Sequence, residues 1–133
     1  MLDVVLAEVD NPYQPTVATT LRSAGATIVT TELAWVSASV ALRSPGLSTV
    51  DALGLYYAKT FGRVLLAGDR KLRISAEALQ VDVHGSLWLV EQFHASGIVA
   101  STELLRWLDE WPKLGRRLPP REIARLKSLL SGR

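Results

Sequence analysis

Asp51 and Asp69 each stand where a helical run begins, and carboxylates so placed can do metal chemistry. Residues 64–67 read as a short buried strand, Gly68 and Asp69 follow, and 70–79 then open a basic helical run. An acid just past an apolar strand lies at the C-terminal rim of an α/β sheet, where such folds place ligands and catalytic groups. Asp51 opens the preceding helix after Leu47, Ser48, Thr49 and Val50. Two acids at neighbouring helix starts can hold a divalent ion. They can equally be ordinary N-terminal helix acids, which capping and the helix dipole favour. Arg70 and Lys71, beside Asp69, can hold a substrate phosphate or reduce carboxylate repulsion, or stand solvated in the first helical turn.

Other routes to chemistry are poorly supplied. With no cysteine, the chain has no disulfide, iron–sulfur cluster or thiolate zinc site, which suits a reducing cytosol. The two histidines, His84 and His94, pair with no serine in a triad-like order, and His84 before Gly85 reads as a turn or packing residue. Trp35, Trp88, Trp107 and Trp111 fall at helical positions and read as core or subunit-contact groups. Glu91, Glu103 and Glu110 read as surface acids outside any carboxylate cluster.

The elements that must position Asp51 and Asp69 follow from periodicity. Three strand–helix cycles are legible: a strand at 26–30 with a helix over 32–43, a helix over 48–60 leading to the strand at 64–67, and a helix over 70–79 leading to a strand at 80–84. Ser48 with Asp51 forms a predicted capping box, Asp standing in for the usual Glu. Helices over 87–93, 102–111 (ended by Pro112 and Gly115) and 119–130 complete the chain. Alternation of this kind predicts a mainly parallel sheet covered by helices. The N-terminus reads two ways. As an edge strand it delivers Asp10 to the rim, with Glu32 as second acid; as a helix it presents Glu8 inward.

A chain of 133 residues suits one domain. Its 48% hydrophobic and 21% charged content argues against disorder. No apolar run reaches membrane-span length, and the opening residues lack the basic segment of a signal peptide, so the expected compartment is the cytoplasm. The net charge of +2 hides a gradient. Residues 106–133 hold eight basic groups against three acids, a net of +5, and the remainder carries −3. A cationic tail of this kind can steer a nucleic acid or an acidic partner, or simply form a solvated helical surface.

Taken in order, segments 47–58, 67–73 and 81–89 resemble a PIN domain. Residues 84–90, His-Gly-Ser-Leu-Trp-Leu-Val, are similar to the His-Gly-x-Leu-Trp-x-Leu segment of a bacterial subgroup, with Val90 at its last position. Residues 96–99 and 117–120 look like that subgroup's helical tail. The resemblance implies a three-layer α/β/α fold over 1–133, with 98–133 a basic helical extension. It also implies a single-stranded RNA endonuclease using Mg²⁺ or Mn²⁺ held by carboxylates. Many such proteins are dimers, and many are toxins restrained by an antitoxin protein. Asp51 and Asp69 match two of the family's acids, and Glu8 matches its helical Glu, as a metal ligand or water-orienting group. No residues match the family's first strand and the Asp at its end. An upstream start, a compensating chain or element, or decay toward a binding module would each account for that, as would Asp10 in a compressed N-terminus. The alternative function is therefore a catalytically weak interaction module.

Overall fold

The computed structural model describes residues 1–9 and 16–132. Its first helices are α1 (Asp3–Val9), α2 (Val17–Ser23) and α3 (Leu33–Ser39), the last continued by a 3₁₀ turn over Val40–Leu42. Next come α4 (Thr49–Phe61), β1 (Leu65–Leu66), α5 (Arg70–Ala78) and β2 (Val83–His84). The chain continues through α6 (Ser86–Ser96), α7 (Ser101–Lys113) and α8 (Pro120–Leu130). β1 and β2 form a small parallel two-stranded sheet. In it the Leu65 N–H donates to the Asp82 carbonyl at 2.8 Å and the Ala67 N–H to the His84 carbonyl at 2.9 Å.

From α3 onward helix placement follows the sequence signals closely, whereas strand lengths do not, and α2 falls where no element is predicted. The strand expected at 26–30 contributes one parallel bridge, between Val29 and Leu2. The Val29 N–H donates to the Met1 carbonyl at 2.8 Å, and the Asp3 N–H to the Val29 carbonyl at 2.9 Å. Pairing stops there because its neighbour turns into α1 at Asp3. The N-terminal segment is thus a helix. Its buried groups are Leu2 and Leu6, and Glu8 is exposed rather than inward. Asp10, the other candidate first acid, lies outside the described residues. Pro112 does not end α7. It sits inside the last turn, where a helical φ fits and a single missing N–H is tolerated, and the helix runs on to Lys113.

The chain forms two compact units: Met1–Leu65 with Asp69–Val83, and Leu66–Gly68 with His84–Arg133. The first is centred on Leu47, Leu55, Ala58, Ala76 and Val81, with Leu42, Leu65, Leu72, Leu79 and Val83 packed against them. On α4, Ala52, Leu55 and Ala58 recur every three residues and are buried, which is why this stretch is an amphipathic helix. Trp35 meets Tyr57 and Phe61 edge-on at 5.4 and 5.5 Å, so its ring packs as expected rather than standing free. The second unit is built from α6, α7 and α8 around Val90, Leu104, Leu108, Leu126 and Leu130. The i, i+4 spacing of Leu104 with Leu108 and of Leu126 with Leu130 gives each helix one apolar stripe.

One backbone feature yields a stability prediction. Past α5, Gln80 adopts φ 59°, the left-handed region that a side chain disfavours. The Val81 N–H donates to the Ala76 carbonyl at 2.8 Å and the Gln80 N–H to the Glu77 carbonyl at 3.0 Å, a Schellman ending that normally carries glycine. Gln80→Gly is expected to stabilise the chain by up to about 1 kcal/mol, steric relief outweighing the added freedom of the unfolded chain. Urea unfolding checks it; a destabilised variant would show that the Gln80 side chain has a role of its own.

Candidate carboxylate site

Asp51 and Asp69 are both anchored at helix starts, by different bonds. In α4 the Asp51 N–H donates to Ser48 Oγ at 3.0 Å, and the Ser48 N–H donates back to Asp51 Oδ2 at 3.1 Å. This is the reciprocal capping box that the Ser48–Asp51 spacing predicts. Asp69 is the N-cap of α5, its Oδ2 accepting the Leu72 N–H at 2.9 Å. Each carboxylate therefore uses Oδ2 for a cap. Oδ1 of each accepts no hydrogen bond among the described residues.

The two helix starts are neighbours in the first unit. Lys71, two residues past Asp69, lays its side chain across Gly46, two residues before Ser48. A Cβ on Gly46 would come within 2.6 Å of Lys71 Cδ and 2.7 Å of its Nζ. Gly46 also has φ +87°, and that backbone conformation, rather than space, is why the turn into α4 calls for glycine, since the end of the Lys71 side chain can move aside. Below this contact Leu47 and Leu72 join one apolar core. Arg70 and Lys71 are both exposed first-turn residues, Lys71 with the end of its side chain over Gly46.

Glu8 stands on the exposed side of α1, where it has a partner of its own. Among the described residues no group of three or more His, Asp or Glu side chains is placed to hold a metal. Glu32, the alternative second acid, is the exposed N-cap of α3 and makes no side-chain cap bond. The donor chemistry at Asp51 and Asp69 is all oxygen. That fits a hard divalent ion of the Mg²⁺ type, which takes one or two carboxylates and keeps several waters.

A family model, DUF3368, described as a PIN domain, matches residues 3–131, nearly the whole chain. The chain belongs to the PIN-domain family. No curated protein and no solved structure matches it. In this PIN domain no helix among the described residues is long and apolar enough to cross a membrane.

Sequence reasoning missed one carboxylate of the PIN domain. Asp3 Oδ1 accepts the Thr31 hydroxyl at 2.6 Å, the Thr31 N–H at 3.0 Å and the Val4 N–H at 2.8 Å. The Thr31 hydroxyl bond, with the backbone N–H groups, holds its carboxyl below the usual carboxylate range against a smaller opposing effect of burial. An Asp opening an apolar run was the available signal, but its partner lies 28 residues away and leaves no local trace. A folded pKa below the unfolded one means that Asp3 contributes its full stability above the ordinary value of about 4. That contribution is lost as pH falls through the lowered folded value. Asp3→Asn is therefore expected to be less stable than the parent at pH 7, the gap narrowing as pH falls below about 4. Urea unfolding across that range checks it; a constant gap would remove ionisation as the cause.

In the second unit His84 stacks on Trp88 at 4.1 Å, in keeping with its expected packing role. Trp107 donates its Nε1–H to Glu103 at 2.9 Å and stacks on Trp111 at 6.0 Å. Glu91, Glu103 and Glu110 are ion-paired partners of Arg125 and Arg106. They are engaged in surface pairing, as acids outside a carboxylate site would be.

Proposed function

We propose that this PIN domain is a metal-dependent endonuclease of single-stranded RNA, with Asp51 and Asp69 as its central acids. The observation that carries the reading is the seating of two capped carboxylates on helix starts that share one core, with Lys71 reaching to Gly46, two residues before Ser48. Mg²⁺ or Mn²⁺, when bound, lowers the pKa of a water and offsets charge on the attacked phosphate. The capping bonds fix the orientation of each carboxylate and leave Oδ1 for the ion. Glu8 is assigned as a further ligand or water-orienting group, and Arg70 and Lys71 as contacts to the substrate phosphate. On this reading the protein works in the cytoplasm as a dimer, and as a toxin its antitoxin would cover the acids.

A second reading has an observation in its favour. Both aspartates already serve as ordinary helix caps, which is sufficient reason for their presence in a catalytically weak interaction module. Mn²⁺ titration calorimetry on the chain and on its Asp51→Asn, Asp69→Asn double variant separates the two. Binding by the parent and none by the variant is expected. A folded parent that binds no Mn²⁺, or a variant that binds it equally, would favour the interaction module.

A further inference from the structure

The eight basic groups of 106–133 are not equivalent once folded. Arg106 is paired with Glu103 and Glu110, Arg125 with Glu91 and Glu122, and Lys127 with Asp109. Those pairs engage all three acids of the segment, Asp109, Glu110 and Glu122. Arg133 lies outside the described residues. The remaining four, Lys113, Arg116, Arg117 and Arg121, fall within nine consecutive residues that contain no acid. Lys113, Arg117 and Arg121 are exposed and make no hydrogen bond or close ion pair among the described residues, though Lys113 also acts electrostatically on Asp109.

The turn that carries them is held firmly. The Arg116 N–H donates to the Trp111 carbonyl and the Gly115 N–H to the Pro112 carbonyl, both at 3.1 Å, a complete Schellman ending of α7. Gly115 supplies the required positive φ of 87°. On the other side Pro119 and Pro120 start α8. The Arg116 guanidinium donates to Ser86 Oγ at 2.6 Å and lies 5.9 Å over the Trp111 ring. Four like charges on an ordered turn repel one another. Among the described residues the only acid of the segment that acts on one of them is Asp109, one turn before Lys113 on α7 and already paired with Lys127. Three of the four are arginines, whose planar forks match phosphate oxygens.

We propose that the α7–α8 turn, with Lys113, Arg117 and Arg121 around an anchored Arg116, is a docking surface for the phosphate backbone of single-stranded RNA. The proposal rests on the RNA reading above and locates substrate affinity on residues other than the carboxylates.

The test is fluorescence anisotropy of a labelled single-stranded RNA oligomer on the full chain in EDTA, where cleavage is suppressed, over a range of KCl concentrations. Three phosphate contacts on a single strand correspond to a salt slope of about 2, at roughly 0.7 each. Lys113→Gln, Arg117→Gln, Arg121→Gln is expected to reduce the slope by about that amount and to weaken binding roughly tenfold or more near 0.1 M salt. Arg106→Gln, Arg125→Gln, Lys127→Gln removes the same charge from the paired faces and is expected to change the slope far less. Arg117→Lys, Arg121→Lys keeps the charge and should keep most of the slope. Equal losses in the two neutralised variants, or a parent that does not bind RNA, would overturn the proposal. So would a polyglutamate of equal length binding the turn as tightly as the RNA, which would identify an acidic protein partner instead. RNA binding that passes these tests without Mn²⁺-dependent cleavage would count against the nuclease reading alone.

Discussion

RNA cleavage by the Asp51→Asn, Asp69→Asn variant is expected to fall by a factor on the order of 10²–10³ or more relative to the parent, with little change in fold. The choice of asparagine makes the result interpretable. Asparagine caps a helix about as well as aspartate, so its side-chain oxygen can still accept the Leu72 N–H at 69 and the Ser48 N–H at 51. What it lacks is the negative charge that a hard cation needs. The lost interaction with each helix dipole is worth only about 0.3–1 kcal/mol on the surface. Asp69→Ala, by contrast, removes cap and charge together and should cost about 1 kcal/mol of stability as well. If the two acids act as a unit, each single asparagine variant will lose nearly as much activity as the double. Full cleavage by the asparagine variants, beside a less stable alanine variant, would show that the acids serve only as caps.

The capping signals were legible in sequence because they are local. Ser48 and Asp51 lie three residues apart, and Asp69 reaches only to Leu72, so residue type and spacing specify these bonds. The helical stripes of α7 and α8 were legible for the same reason. The places of β1 and β2 were legible too, but strand length was not, because a strand extends only as far as its partner does. Residues 26–30 have strand-like composition, yet their neighbour bends into a helix after one bridge. The approach of Lys71 to Gly46, between the segments leading into the two acids' helices, joins residues 25 apart in sequence, and Leu47 and Leu72 beside them meet in a shared core. Nor could the basic tail be sorted from sequence. Whether an arginine is neutralised depends on pairs such as Arg125 with Glu91, set by helix packing rather than by spacing on one helix.

Leu55→Ala is expected to destabilise the chain by about 2–5 kcal/mol and also to weaken Mn²⁺ binding. Leu55 is fully buried in the core that contains Leu47, adjacent to Ser48, and Leu72, whose N–H caps on Asp69. Removing three carbons there leaves a cavity that the surroundings fill only in part, and any collapse shifts α4 against α5. A shift of that kind changes the separation of the carboxylates without touching either one. Leu126→Ala supplies the comparison. It is equally buried, in the core of the second unit, and should cost a similar amount of stability. Its neighbours are Leu104, Leu108 and Leu130 on α7 and α8, so Mn²⁺ affinity should stay near the parent value. Urea unfolding and calorimetry, at a temperature where both variants are folded, give the two readouts. Equal losses of Mn²⁺ affinity would mean that the ion responds to overall stability. A loss confined to Leu55→Ala would tie the ion to the packing beneath Asp51 and Asp69.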